Sequence, residues 1–261
     1  MILDEILADT RERVAGARRE IPASALRDLP RWQEPRRGFR AALAGAAAPA
    51  VIAEIKRASP SRGVLKADLD PVATAELYER GGAAAISIVT EPDHFQGELA
   101  WVDAVRARVR LPLLLKDFVF DSYQLLDAAA RGADGVLLIA ALLSETQLQR
   151  LITEARLLGL DCLVEVHGAD ELRTSLRAGA TLVGINNRDL HSFEVRLDTA
   201  VELLPAVPRL VTAVAESGYS APADLAPLRS TRCDAALIGE VFMTSADPGS
   251  TLASLTAAAR G

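Results

Sequence analysis

Apolar residues in this chain come in short unbroken blocks, several of them fed by a glycine. Three segments spell the pattern most plainly: Gly82-Ala-Ala-Ala-Ile-Ser-Ile-Val89, Gly132-Ala-Asp-Gly-Val-Leu-Leu-Ile139 and Gly179-Ala-Thr-Leu-Val-Gly-Ile185. In each, a helix-like stretch ends at glycine, the residue that best tolerates a helix C-cap, and a small residue leads into the apolar run. Continuous apolar runs mark strands covered on both faces, as in parallel sheets. Further runs at 51–55, 113–115, 162–166, 210–215 and 235–238 bring the expected strands to eight. Between them, residues 69–80, 99–108, 122–131, 145–158, 170–178, 198–204, 221–228 and 250–259 carry apolar positions at helical spacing.

Eight strand-then-helix units predict a (β/α)8 TIM barrel with an N-terminal helical extension. The competing architecture, an open doubly wound sheet, normally carries a glycine-rich phosphate loop after its first strand. Here Ala58-Ser-Pro-Ser-Arg-Gly63 follows instead, and neither GxGxxG nor GxxxxGK[ST] occurs. The extension, about residues 1–48, reads as an amphipathic helix over 3–19, an irregular Pro-containing stretch and a short helix around 39–44. Both capping of the barrel floor and cover of its mouth are open to it. Residues 1–261 are expected to form one domain.

Composition narrows the function. Half the residues are apolar and only 4% aromatic, which suits helices packed on aliphatic strands, and a net charge of −6 argues against a nucleic-acid partner. The longest apolar run, nine residues from Gly135, is too short to span a bilayer, and the amino terminus lacks the basic region of a signal peptide. No membrane association and a cytoplasmic location are the expectation. Cys162 and Cys233 stand apart in apolar surroundings, and His94, His167 and His191 form no close ligand pair, so neither a disulfide framework nor a metal is expected.

Only three of the 29 basic residues are lysines. Two of them, Lys56 and Lys116, close apolar runs, where this fold places reactive groups; Lys66 lies in a polar stretch and is assigned to solvent. Strand parity puts Glu54 and Lys56 on the interior side of the first strand, with Ala53 and Ile55 toward the helices. Glu165 in the fifth strand, Asn186 ending the sixth and Glu216 ending the seventh bring further polar groups to the same mouth. Charged groups are rarely buried singly, and several at one end of a barrel point to catalysis. Ser217-Gly218 after the seventh strand and Gly239-Glu240 after the eighth sit where barrels commonly hold phosphate, so a small phosphorylated substrate is expected.

The segments Ala53-Glu-Ile-Lys-Arg-Ala-Ser-Pro-Ser61, Phe95-Gln-Gly97, Leu115-Lys-Asp-Phe118, Glu165-Val-His167, Gly184-Ile-Asn-Asn-Arg-Asp-Leu190 and Ala215-Glu-Ser-Gly218 resemble the motifs of indole-3-glycerol phosphate synthases, in order and over nearly the whole chain. The resemblance implies a cofactor-free (β/α)8 enzyme of tryptophan biosynthesis. Its substrate would be 1-(2-carboxyphenylamino)-1-deoxyribulose 5-phosphate, closed and decarboxylated to indole-3-glycerol phosphate with loss of water. It assigns Lys116 as general acid and Glu165 as base, assisted by Lys56 or Glu54. Asn186, Arg188 and Glu216 would orient substrate and lysine, and Ser217, Gly218, Gly239 and Glu240 would surround the phosphate. Ser59 and Ser61 would line the anthranilate end, with Phe95 and Phe118 packed on its ring. Two positions depart from the family pattern: Glu98 stands where Ser is frequent, and Thr244 where Arg is usual. A barrel aldolase using Lys116 as a Schiff-base amine is the alternative chemistry. A monomer is expected, although nothing in the sequence sets the oligomeric state.

Overall fold

The computed structural model describes residues 2–46, 49–190 and 192–260. Eight parallel strands close into a barrel: β1 (Ala50–Ile55), β2 (Ala85–Val89), β3 (Leu113–Lys116), β4 (Gly135–Ile139), β5 (Asp161–Val166), β6 (Leu182–Asn186), β7 (Thr212–Glu216) and β8 (Ala235–Ile238). Closure is made by β1, whose Ile52 lies opposite Leu237 of β8 on one side and Ala85 of β2 on the other. The predicted barrel is therefore the observed one. Alternation along each strand builds two cores. Ile52, Leu114, Leu137, Leu163, Leu182, Val214 and Leu237 fill the interior. Val51, Ala53, Ile55, Val136, Leu138, Val183 and Ala213 meet the helices.

Those helices are α3 (Pro71–Arg80), α4 (Ala100–Arg106), α5 (Ser122–Ala130), α6 (Glu145–Leu157), α7 (Ala169–Arg177), α8 (Asp198–Leu203), α9 (Pro222–Arg229), α10 (Glu240–Thr244) and α11 (Pro248–Arg260). Boundaries differ from expectation where a local group decides them. Helix α3 begins at Pro71, two residues late, because Asp70 caps it, accepting from Val72 N at 2.9 Å and Ala73 N at 3.0 Å. The seventh strand begins at Thr212; Leu210, expected within it, is 87% exposed in the preceding turn. The short α10 was unforeseen, and Lys66, assigned to solvent, is half-buried.

The extension does both things left open to it. Helix α1 (Ile2–Glu20) lies at the rim of the mouth, where Arg13 reaches Glu91 at 3.2 Å and Asp117 at 2.8 Å, and His94 meets Asp9 at 2.8 Å. The chain then descends beside α5, with Tyr123 Oη donating to Ala17 O and Ile21 O. At the opposite end Arg106 pairs with the fully buried Asp134 at 2.8 Å, and Arg37 donates to Val109 O and Leu111 O. Helix α2 (Phe39–Ala44) closes the barrel floor: Phe39 and Leu43, both buried, pack on Ala50, Ala85, Leu114 and Leu182.

Phe39 supplies the largest of the side chains that close the floor, and it lies at the end away from the mouth. Phe39→Ala is expected to cost about 3–5 kcal/mol of stability, as large-to-small core substitutions do. Urea unfolding should show the loss while kcat at 25 °C stays within about twofold of wild type, since one kcal/mol of barrier already changes a rate severalfold.

Candidate active site

Parity carries the charged groups to one place. Interior positions lower on the strands are apolar; the next ones toward the mouth are Glu54 on β1, Lys116 on β3, Glu165 on β5, Asn186 on β6 and Glu216 on β7. They form the floor of a cavity of about 570 Å³ at the C-terminal ends of the strands, together with Lys56. Lys56 Nζ donates to Glu54 Oε1 at 2.6 Å. Lys116 Nζ lies 3.9 Å from Glu54 Oε2 and 3.7 Å from Glu165 Oε2. Lys116 is 21% exposed, and that exposure is to the cavity.

Two glycines make this crowding fit. A Cβ at Gly184 would stand 1.8 Å from Glu216 Oε1, and one at Gly239 would stand 2.7 Å from Glu54 Oε1. Gly184 pairs with Glu165 across β5 and β6, so its missing side chain leaves room for Glu216 to reach over β6 to Glu165. Glu165 Oε2 and Glu216 Oε1 are both buried without a hydrogen-bond partner, and a proton on one of the two carboxyls would relieve the repulsion between them.

The surroundings decide which. Burial drives the Glu216 carboxyl well up and the negative Glu165 adds to it, so of the two Glu216 is the weaker acid. Burial pushes Glu165 up as well, but Lys116, and after it His167, pull it further the other way, and it ends below the ordinary carboxylate range. Glu54 follows the same logic: burial raises it, Lys56 and Lys116 lower it, and the net is downward. For Lys116, burial favours the neutral amine, but Glu165, at 3.7 Å, and Glu54, at 3.9 Å, outweigh it and favour the ammonium. The surroundings thus favour the charged forms of Lys116, Glu54 and Glu165 and the neutral form of Glu216.

The other expected residues line the same cavity. Phe95 and Phe118 form one wall, ring centroids 6.2 Å apart. Buried Glu91 sets the loop of Phe95 by accepting from the backbone of Asp93, His94 and Phe95. Asp117, accepting from Phe118 N and Thr90 Oγ, sets the loop of Phe118. Arg13 of α1 grips both carboxylates, so the extension braces the aromatic wall. Across the cavity, Ser217 and Gly218 turn the chain through consecutive left-handed conformations, φ 66° and 91°. This is a strained choice for serine. Asn187, buried beneath them, fixes the turn by donating to Ser217 O at 3.0 Å and Tyr219 Oη at 2.9 Å.

Over the mouth, Arg188 Nη1 lies 3.4 Å from Ser61 Oγ and Nη2 lies 3.4 Å from Glu240 Oε2, while Arg62 Nε donates to Glu240 Oε1 at 2.8 Å. The Glu240 side chain is thus engaged by two arginines. Ser59 is buried in the loop below and Ser61 is exposed above it. Of the two departures, Glu98 pairs with Arg57 at 3.2 Å, and Thr244 lines the cavity beside Glu240.

Sequence reasoning missed Arg13, Glu91, Asp117, Asn187 and Arg62 as site residues. Asp117 and Asn187 sit inside quoted motifs and Arg62 inside the Ser-Pro-Ser loop, so adjacency was their signal; Arg13, 78 residues from Glu91, had none. Among the described residues no group of His, Cys, Asp and Glu is placed to hold a metal ion; His191 lies outside them. No helix among them is long and apolar enough to cross a membrane.

Fold and site together define a (β/α)8-barrel enzyme for a small phosphorylated substrate, with acid and base groups between an aromatic wall and the loops of β7 and β8. The family model described as indole-3-glycerol phosphate synthase matches residues 3–255. An indole-3-glycerol phosphate synthase of Polaromonas sp. (strain JS666 / ATCC BAA-500) is 45% identical over 97% of this chain and 97% of its own. One of Laribacter hongkongensis (strain HLHK9) is 44% identical over 98% and 99%. Among solved structures, 3-hexulose-6-phosphate synthase from Salmonella typhimurium superposes with a TM-score of 0.64 at 15% identity, covering 80% of this chain and 97% of that one, a likeness of fold alone. The chain belongs to the indole-3-glycerol phosphate synthase family. It is a carboxy-lyase of tryptophan biosynthesis that converts 1-(2-carboxyphenylamino)-1-deoxyribulose 5-phosphate to indole-3-glycerol phosphate, carbon dioxide and water.

His167 carries a consequence for stability. Burial lowers its basicity, but Glu165 and Glu171 raise it from 6.5 to about 10. The folded state binds this proton more tightly than the unfolded chain does, so the contribution is complete below pH 6.5 and is lost as the pH rises to about 10. It is on the order of a few kcal/mol. Urea unfolding at pH 6 and pH 9.5 should therefore show wild type losing more stability than His167→Gln, which has no such proton to lose.

Proposed function

We propose that Lys116 is the general acid of ring closure. The observation that carries this reading is an ammonium on the cavity floor, 3.7 Å from Glu165 and 3.9 Å from Glu54, midway between aromatic wall and phosphate loops. As the anthranilate carbon bearing the carboxylate bonds to the ribulose carbonyl carbon, the carbonyl oxygen gains negative charge. An alkoxide is far more basic than any amine, so Lys116 gives up its proton there even though its carboxylate neighbours hold that proton tightly. Loss of carbon dioxide returns the bonding electrons to the ring. The hydroxyl then leaves as water with a proton from Lys56, while Glu165, ionised, takes a proton from the methylene carbon beside the nitrogen, and Glu54, paired with Lys56, helps return protons to the site. Asn186 and Glu216 orient these groups.

At the ends of the cavity, Phe95 and Phe118 stack on the anthranilate ring above Ser59 and Ser61. Ser217, Gly218, Gly239 and the backbone of Glu240 hold the phosphate, and Arg188 and Arg62 supply positive charge over it. The aldolase alternative needs a neutral amine, and the carboxylates of Glu54 and Glu165 beside Lys116 disfavour one. We further propose a cytoplasmic monomer, without nucleic-acid or membrane partners, folding as one domain in which Phe39 and Leu43 complete the barrel core; light scattering at micromolar concentration tests the monomer.

Lys116→Met is expected to lower kcat at least ~10³-fold, the product of a lost proton donor and a lost charge facing the oxyanion. Lys116→Arg should not restore it, because guanidinium is a poor proton donor. Glu165 and Glu54 keep His167 and Lys56 as partners, so the thermal midpoint should fall by no more than a few degrees. Indole fluorescence from the carboxyphenylamino substrate is the assay, and a Lys116→Met enzyme retaining a tenth of wild-type kcat would exclude this role.

Inorganic phosphate at millimolar concentration should raise KM without lowering kcat, since loop backbone N–H groups serve any tetrahedral dianion. Noncompetitive inhibition would place the phosphate elsewhere.

A further inference from the structure

One ionisable side chain touches the proposed machinery without lining the cavity. His167 lies two residues beyond Glu165, past the end of β5, and its side chain is 13% exposed. Its Nδ1 is 3.2 Å from Glu171 Oε2, in the first turn of α7, and its Nε2 is 3.4 Å from Glu165 Oε1. The His167 backbone N–H also donates to Glu171 Oε2 at 2.8 Å, which fixes the loop between β5 and α7 around this carboxylate. A carboxylate oxygen thus faces each ring nitrogen. A neutral imidazole has one N–H and one lone pair, so one of these contacts would be repulsive; an imidazolium satisfies both. Nε2 is buried and has no aligned hydrogen-bond partner, so what it offers Glu165 is charge at short range.

We propose that His167 is a positioning residue for the reaction: clamped from behind by Glu171, it stays an imidazolium and holds Glu165 ionised and turned toward Lys116. The inference rests on Glu165 being the base. The groups facing that carboxylate are Glu54 on β1, which shares Lys116 with it, Lys116 on β3, Asn186 on β6, Glu216 on β7 and, on the near side, His167; those facing His167 are Glu165 and Glu171. Lys116 lies 3.7 Å from Glu165 Oε2 and 3.9 Å from Glu54 Oε2, so its charge is divided between two carboxylates. His167 adds a second cation on the Glu165 side, which widens the difference between Glu165 and Glu216. This extends the Lys116 reading, since the acid must spend its proton during ring closure, and from then until the proton is returned His167 is the remaining cation beside the base.

The test is the pH dependence of kcat in two variants. In His167→Gln the polar bulk remains and the charge is gone; in Glu171→Gln the imidazole remains and loses the carboxylate that secures its proton. Both should move the acid limb of kcat toward neutral pH by about one unit or more, the size of shift a neighbouring charge imposes. KM should stay within about twofold because neither residue lines the cavity. Raising the pH should recover activity in His167→Gln, which a merely structural defect would not do. Acid limbs that coincide with wild type in both variants overturn the proposal, and should His167→Gln fail to fold, Glu171→Gln alone decides. Glu165→Gln separates the layers. If it abolishes kcat while the two limbs do not move, only this inference fails; if it retains kcat, the reading of Glu165 as base fails and takes this inference with it.

Discussion

An ammonium on the cavity floor is the constraint on which the rest of this molecule turns. Lys116 sits where the barrel interior gives way to the mouth, and the carboxylates of Glu54 on β1 and Glu165 on β5 converge on it there. Those carboxyls would repel one another without it, so cation and anions stabilise each other's presence. The arrangement then fixes residues with no chemistry of their own. Gly184 is bare so that Glu216 can pass, and Gly239 is bare so that Glu54 can sit beneath β8. A barrel optimised for stability would fill these positions with aliphatic layers, as the lower interior does. Here the top layer is polar, crowded and satisfied only as a set.

The extension shows how such a layer is held. It touches the mouth through Arg13 and the floor through Phe39 and Leu43, and between them in sequence Pro35 O accepts from Arg106 and Arg37 N donates to Asp134 of the barrel. Arg13 binds two carboxylates whose other lone pairs accept from the backbone of the loops carrying Phe95 and Phe118. The aromatic wall therefore stands on an ion pair that crosses from the extension to the barrel. Loops are otherwise the least fixed part of such a fold, and tying two of them to one guanidinium gives the wall a common support.

Much of this was legible in the chain, for identifiable reasons. Strand parity is geometric, so Glu54, Lys116, Glu165, Asn186 and Glu216 were placed on one face before any coordinates. The scarcity of lysine singled out Lys56 and Lys116 independently. What escaped was contact between residues far apart in sequence: the grip of Arg13 on Glu91, the engagement of Glu240 by Arg62 and Arg188, and the choice of the extension to serve both ends. No local pattern encodes a partner 178 residues away, the separation of Arg62 from Glu240. Protonation escaped too. Glu165 and Glu216 are the same residue type on the same face, and only the neighbours each acquires on folding shift one carboxyl down and the other up.

That last distinction explains why the site needs more charged groups than the reaction has proton transfers. Two carboxyls of one residue type differ in acidity only through what stands around each. Lys116 stands 3.7 Å from Glu165, and the asymmetry continues behind the two side chains. Behind Glu216 there is apolar strand and Gly184; behind Glu165 there is an imidazole backed by Glu171. The chemistry thus depends on a gradient of charge running from α7 inward to β3. Helix and loop residues outside the cavity set that gradient, and the strand ends then present it to the substrate.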